Sequence, residues 1–149
     1  MADLQRFLAD KRLRKLAVSQ REVADLFRVV DRDLADAKID AVSVDRRFAT
    51  AYNAALQLAT ILVRSEGLRT AGVGHHHTTI MCVPVVLGEQ FRQTADYLDA
   101  CRSKRNTVDY DGIGVATASD VAELLDESER LRNAVVRWLE VAHPELVAL

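Results

Sequence analysis

Apolar residues recur at helical spacing along most of this chain. After Ser19-Gln20-Arg21-Glu22, which has the form of a capping box, Val23, Leu26, Phe27, Val30 and Leu34 share one side. Asp31, Arg32, Asp33 and Asp36 fall on the opposite side, which predicts a helix with a wetted acidic face that ends near Lys38. The next pattern is stronger. Ser43 or Asp45 can cap it, and Phe48, Tyr52, Ala55, Leu58 or Ala59, Leu62 and Val63 make one broad apolar face. Gly67 is placed to close this helix, because a left-handed residue is sterically free only as glycine. Ala49, Ala51, Ala54 and Ala55 would let a neighbouring helix come close.

The remaining segments are shorter or interrupted. Residues 3–16 predict an amphipathic helix, and the glycines of residues 68–74 predict a loop. From about His76 the chain turns apolar through Ile80, Met81, Val83, Val85, Val86 and Leu87. Pro84 within that run predicts a kink, or a helix that starts at Thr78-Thr79 with proline in its first turns. Phe91, Ala95, Leu98 and Cys101 predict a helix over residues 89–106, and Gly112 and Gly114 a second loop. Ser119-Asp120 opens a last helix carrying Val121, Leu124, Leu125, Leu131, Val135, Trp138 and Leu139, which stops before Pro144. Tyr52 and Trp138 read as core or dimer-contact residues. Short connections between such helices predict an all-α fold, an up-and-down bundle of four to five helices, in one domain of 149 residues.

Composition sharpens this picture in two respects. A hydrophobic fraction of 49% with few aromatics predicts a core of aliphatic side chains. The formal net charge is −2, so no global basic field draws in nucleic acid, and any such contact must come from a local patch. Lys11-Arg12-Leu13-Arg14-Lys15 is one candidate and reads as a solvated helix face; Arg102, Lys104 and Arg105 are the other. Cys82 and Cys101 sit in apolar helical contexts and read as buried free thiols. The N-terminus lacks a signal-peptide core and no run reaches membrane-spanning length, so a cytoplasmic protein without a membrane is expected.

The chemistry concentrates in Arg102-Ser-Lys-Arg105-Asn106-Thr107-Val108-Asp109-Tyr110-Asp111, read as the end of an apolar-faced helix. Arg105 offers a planar fork of donors suited to phosphate. Its spacing from Asp109 also suits an intrahelical ion pair. Upstream, His75, His76 and His77 stand in a row. Consecutive imidazoles seldom converge on one ion, so a loop or helix cap is expected there rather than a zinc site.

Together these segments resemble the HEPN superfamily (higher eukaryotes and prokaryotes nucleotide-binding). The resemblance is carried by Ala51-Tyr52-Asn53-Ala54-Ala55, Leu62, Glu66-Gly67-Leu68-Arg69-Thr70, the pair His76-His77, and Arg105-Asn106-Thr107-Val108-Asp109-Tyr110-Asp111, and it covers residues 43–112. It implies a four- or five-helix bundle that forms a homodimer, with the arginine motifs of both copies facing a shared cleft. Many members are metal-independent endoribonucleases, and many are toxins paired with a nucleotidyltransferase antitoxin; no cofactor is implied. Carried onto this chain, the site would be Arg105, Asn106, Asp109 and Tyr110, with Arg102, Lys104, His76 and His77 contacting RNA or nucleotide.

One departure matters. In the ribonucleases a histidine follows the arginine by four to six residues, whereas here Tyr110 stands in its place, in a variant of the form Arg-x-x-x-Asp-Tyr. Metal-free RNA cleavage needs a group that helps deprotonate the 2′-hydroxyl and another that stabilises phosphate charge. Histidine titrates near neutrality and suits the first role, whereas tyrosine, titrating near 10, is a poor base at that pH. A histidine of the 75–77 row in the same cleft as Arg105 would fill the gap. The alternative function is a non-catalytic helical module that binds a partner.

Overall fold

A computed structural model describes the backbone of residues 2–111 and 115–147, and the side chains of residues 4–107 and 115–147. Among the described residues there are six α-helices: α1 (Ala2–Ala9), α2 (Gln20–Asp36), α3 (Val44–Ser65), α4 (His75–Leu87), α5 (Arg92–Asp111) and α6 (Ala118–Ala142). The fold is an all-α bundle. It is built around α3, which packs against α2, α4, α5 and α6. None of the described helices is long and apolar enough to cross a membrane.

The centre of the bundle follows from its small residues. Ala51, Ala54, Ala55 and Ala59 of α3 are fully buried, so neighbouring backbones approach closely while Phe48, Leu58, Ile61 and Leu62 fill the space between them. Helices α2 and α3 start at the expected caps. Ser19 Oγ accepts from Glu22 N at 3.1 Å, though the Glu22 carboxylate bonds Arg64 rather than closing the expected capping box, and Ser43 Oγ accepts from Arg46 N. At α6 the cap is Thr117 rather than the expected Ser119, and Thr117 and Asp120 exchange side-chain and backbone bonds in a full capping box. Gly67 adopts φ 73°, as its place after α3 predicts.

Several boundaries differ from expectation. Residues 3–16 do not form one helix. After α1 the chain turns through Lys11, at φ 62°, into a short strand β1 (Leu13–Lys15). This strand pairs antiparallel with β2 (Leu68–Thr70), a segment expected as loop, with Leu13 opposite Thr70 and Lys15 opposite Leu68. The basic run 11–15 is therefore turn and strand, not a helix face. Three-residue strands are too short for alternation to show, and this pair is fixed by burial of Leu13 and Leu68 in a small second core with Leu4, Phe7, Val63 and Cys82.

Helix α4 starts at His75 and holds Pro84 well inside, so proline neither opens it nor ends it. Helix α2 stops at Asp36 rather than Lys38, and a short 3-10 turn (Glu89–Phe91) precedes α5, which runs on to Asp111. The expected loop at Gly112 and Gly114 lies outside the described residues. Asp33, expected in water, is buried. Asn53 Nδ2 donates to it at 2.7 Å and Arg32 Nε at 3.0 Å, so its charge is compensated where α2 meets α3.

Arg64 joins the two cores. It is buried near the end of α3 and donates to Glu22 Oε2 at 2.5 Å and Oε1 at 3.0 Å. The same guanidinium donates to the carbonyls of Leu16, Ala17 and Leu68 at 2.7–2.9 Å. One side chain thereby fixes α2, the 16–17 connection and β2 to α3, using the planar fork that lysine lacks.

Candidate functional site

The site forms where the first turn of α4 faces the second half of α5. Gly74 sits in the left-handed region at φ 74° and sends the chain directly into helix, so His75, His76 and His77 form a helical first turn and not a loop. No side chain caps this end, which leaves backbone N–H groups and the positive end of the helix dipole beside the histidines. On α5, Asp99, Arg102 and Asn106 recur at three- and four-residue spacing and so share one face.

These elements enclose an open cleft of about 210 Å³ lined by Gly74, His75, His76, His77, Arg102 and Asn106. Its organising contact joins the two helices: His77 Nδ1 lies 2.9 Å from Asp99 Oδ1. The same carboxylate oxygen accepts from Arg102 Nε at 2.8 Å. Partial burial pushes the Asp99 carboxyl up, but the bonds from Arg102 and His77 outweigh it and hold the group below its ordinary value. An ionised Asp99 selects the His77 tautomer with the proton on Nδ1, leaving Nε2 as the basic nitrogen.

His76 is held below the ordinary histidine range, first by burial and then by the positive potential of His75, Arg105 and Arg102. Its ring meets that of His75 edge-on at 4.5 Å. Arg105 is half-buried, its guanidinium carbon 6.0 Å from the centre of the Tyr52 ring. Tyr52 is buried, and its hydroxyl has no hydrogen-bond partner among the described residues. Burial pushes that phenol up to about 12, against the pull of Arg102 and Arg105.

The expected residues are thus partly reunited. Arg102, Asn106, His76 and His77 line one cleft, and Arg105 sits close enough to depress His76. Lys104 does not join them. It points to α6, with Nζ 3.0 Å from Asp120 Oδ2, near the ring of Phe48. The side chains of Asp109 and Tyr110 lie outside the described residues. Asp99 is the residue that sequence reasoning missed. Its signal was present as an acid one helical turn before Arg102, but its meaning depends on α4 arriving opposite. Among the described residues no group of three His, Cys, Asp or Glu side chains is placed to hold one metal ion.

The arrangement can bind an oxyanion through the Arg102 guanidinium and an uncapped helix end, and can accept a proton at an imidazole beside it. Compared with family models, curated proteins and solved structures, the chain finds no match.

Proposed function

We propose that this cleft binds RNA and cleaves it without a metal, as a HEPN-like endoribonuclease in which a histidine of α4 replaces the motif histidine absent at Tyr110. The observation that carries this reading is the His77–Asp99 contact at 2.9 Å, in a cleft shared with Arg102 and Asn106. A carboxylate that orients imidazole makes it a better-positioned base.

In the proposed reaction His77 Nε2 takes the 2′-hydroxyl proton as the 2′-oxygen bonds to phosphorus. The bond from phosphorus to the 5′-oxygen breaks, and the leaving oxygen takes a proton from water in the open cleft. The products are a 2′,3′-cyclic phosphate and a 5′-hydroxyl, and His77 returns its proton to solvent. Arg105, with Arg102 and the α4 N-terminus, stabilises charge on the phosphate oxygens. Asn106 supplies a further donor. A homodimer with two such clefts, and pairing with a nucleotidyltransferase antitoxin, belong to this proposal through the family resemblance alone.

Incubating RNA with the purified protein in excess chelator tests it, with Arg105→Ala and His77→Ala alongside. Cleavage by the parent protein that both variants lose supports the reading. No cleavage by a protein shown to be folded by circular dichroism sinks it and favours the partner-binding module.

A further inference from the structure

His77 also lines a second cleft, of about 240 Å³, on the α1 side of α4. Its walls carry Arg6 of α1, Arg12 of the turn before β1 and Arg92 at the start of α5, over a floor that includes Phe7 and Met81. Three guanidiniums thus converge from three segments in a chain whose net charge is −2. Two of them meet exposed carboxylates: Arg92 donates to Glu89 Oε1 at 2.9 Å and Oε2 at 3.2 Å, and Asp10 stands 3.9 Å from Arg12.

The Arg12 position is built rather than accidental. Its backbone N donates to Phe7 O at 2.8 Å and its carbonyl accepts from Ala71 N at 3.0 Å. Its guanidinium lies over the Phe7 ring, 4.5 Å from the ring centre. Stacking of this kind orients the fork while leaving its edge for an acceptor. Because His77 borders both clefts, a chain bound in one is led past this imidazole into the other.

We infer that the arginine cleft is a second phosphate subsite, which holds a backbone phosphate of the same RNA strand next to the one at Arg102 and Arg105. This inference rests on the RNA reading of the central cleft and extends it: the ligand is a strand of several nucleotides, not a mononucleotide. The contact is to backbone and carries no base preference.

Each phosphate neutralised on a single strand contributes about 0.7 to the slope of log affinity against log salt. The test is fluorescence anisotropy of a labelled dodecamer of 2′-O-methyl uridine, which cannot be cleaved, titrated at several salt concentrations. Arg12→Gln and Arg92→Gln are compared with the parent protein, with Arg102→Gln as the central-cleft control and circular dichroism as the folding check. Arg92 is the surface variant and decides the matter if Arg12→Gln loosens the Phe7 core. The expected result is a slope lowered by about 0.7 in the arginine-cleft variants. An unchanged slope in folded Arg92→Gln overturns the inference; a reduced slope in Arg102→Gln then leaves the central reading standing. Failure of the parent protein to bind the dodecamer at low salt overturns both.

Discussion

His77 and Asp99 come from different helices and meet at 2.9 Å, with Arg102 on the same carboxylate oxygen. Asp99→Asn keeps the shape of this contact while removing the charge that fixes the imidazole. The proposed activity should fall by about 10² to 10⁴-fold, the range general acid–base groups contribute. Single-turnover cleavage at saturating RNA isolates this from binding, and an unaltered rate would remove His77 from the base role.

The depressed Asp99 carboxyl also sets a stability window. Its folded value lies below the ordinary 3.8, so its contribution is fully present above that value and is lost as pH falls through the lower folded one. Chemical denaturation at a series of acidic pH values should show a loss below about pH 4 that Asp99→Asn lacks. Equal slopes for both proteins would contradict the assignment.

His76 responds in the neutral range. Its folded value lies below 6.5, so the unfolded chain binds more protons, and stability declines as pH falls through and below 6.5. Phosphate in the cleft would offset the repulsion from Arg105 and Arg102. Two-dimensional NMR of the imidazoles should therefore show His76 titrating low in the free protein and moving upward when the uncleavable oligomer is added. A His76 value indifferent to the oligomer would place the anion elsewhere.

Arg64→Met removes the buried fork and strands the carbonyls of Leu16, Ala17 and Leu68. The cost should be about 3 kcal/mol, the range for charged hydrogen bonds lost from a buried site. For a chain of this size that lowers the melting temperature by roughly 10 °C, which calorimetry would detect. Arg64→Lys should recover only part of it.

Burial pushes the Cys82 thiol up to about 12 and the Cys101 thiol up to about 11. Both should resist an aromatic disulfide reagent at mildly alkaline pH until the protein unfolds. Fast labelling of the folded protein would show that the core opens locally near α4 or α5.

The bundle was legible because long helices announce themselves. The α3 pattern, the caps at Ser19 and Ser43, and Gly67 follow from local spacing and backbone sterics that no distant contact overrides. Arg64 was invisible by the same logic: it closes a helix in sequence yet acts on residues more than forty positions away. The cleft was half legible. Arg102, Arg105 and Asn106 were marked by their own chemistry, and the histidines by their unusual row. The carboxylate that gives the row a direction was not, because Asp99 on a helix surface looks like any solvated acid until α4 is laid against it. Lys104 shows the converse, since neighbours in sequence at a helix end point to different sides.

The β1–β2 pairing has a practical corollary for anyone shortening this chain. Strand β2 leads through four residues into His75, and its pairing partner among the described residues is β1. A version trimmed to begin at α2 would keep every helix that packs on α3 but would unpair that strand, uncover Leu68 and Val63, and delete Arg6 and Arg12. Such a protein could look well folded by helical content and still have lost the register that sets the first turn of α4.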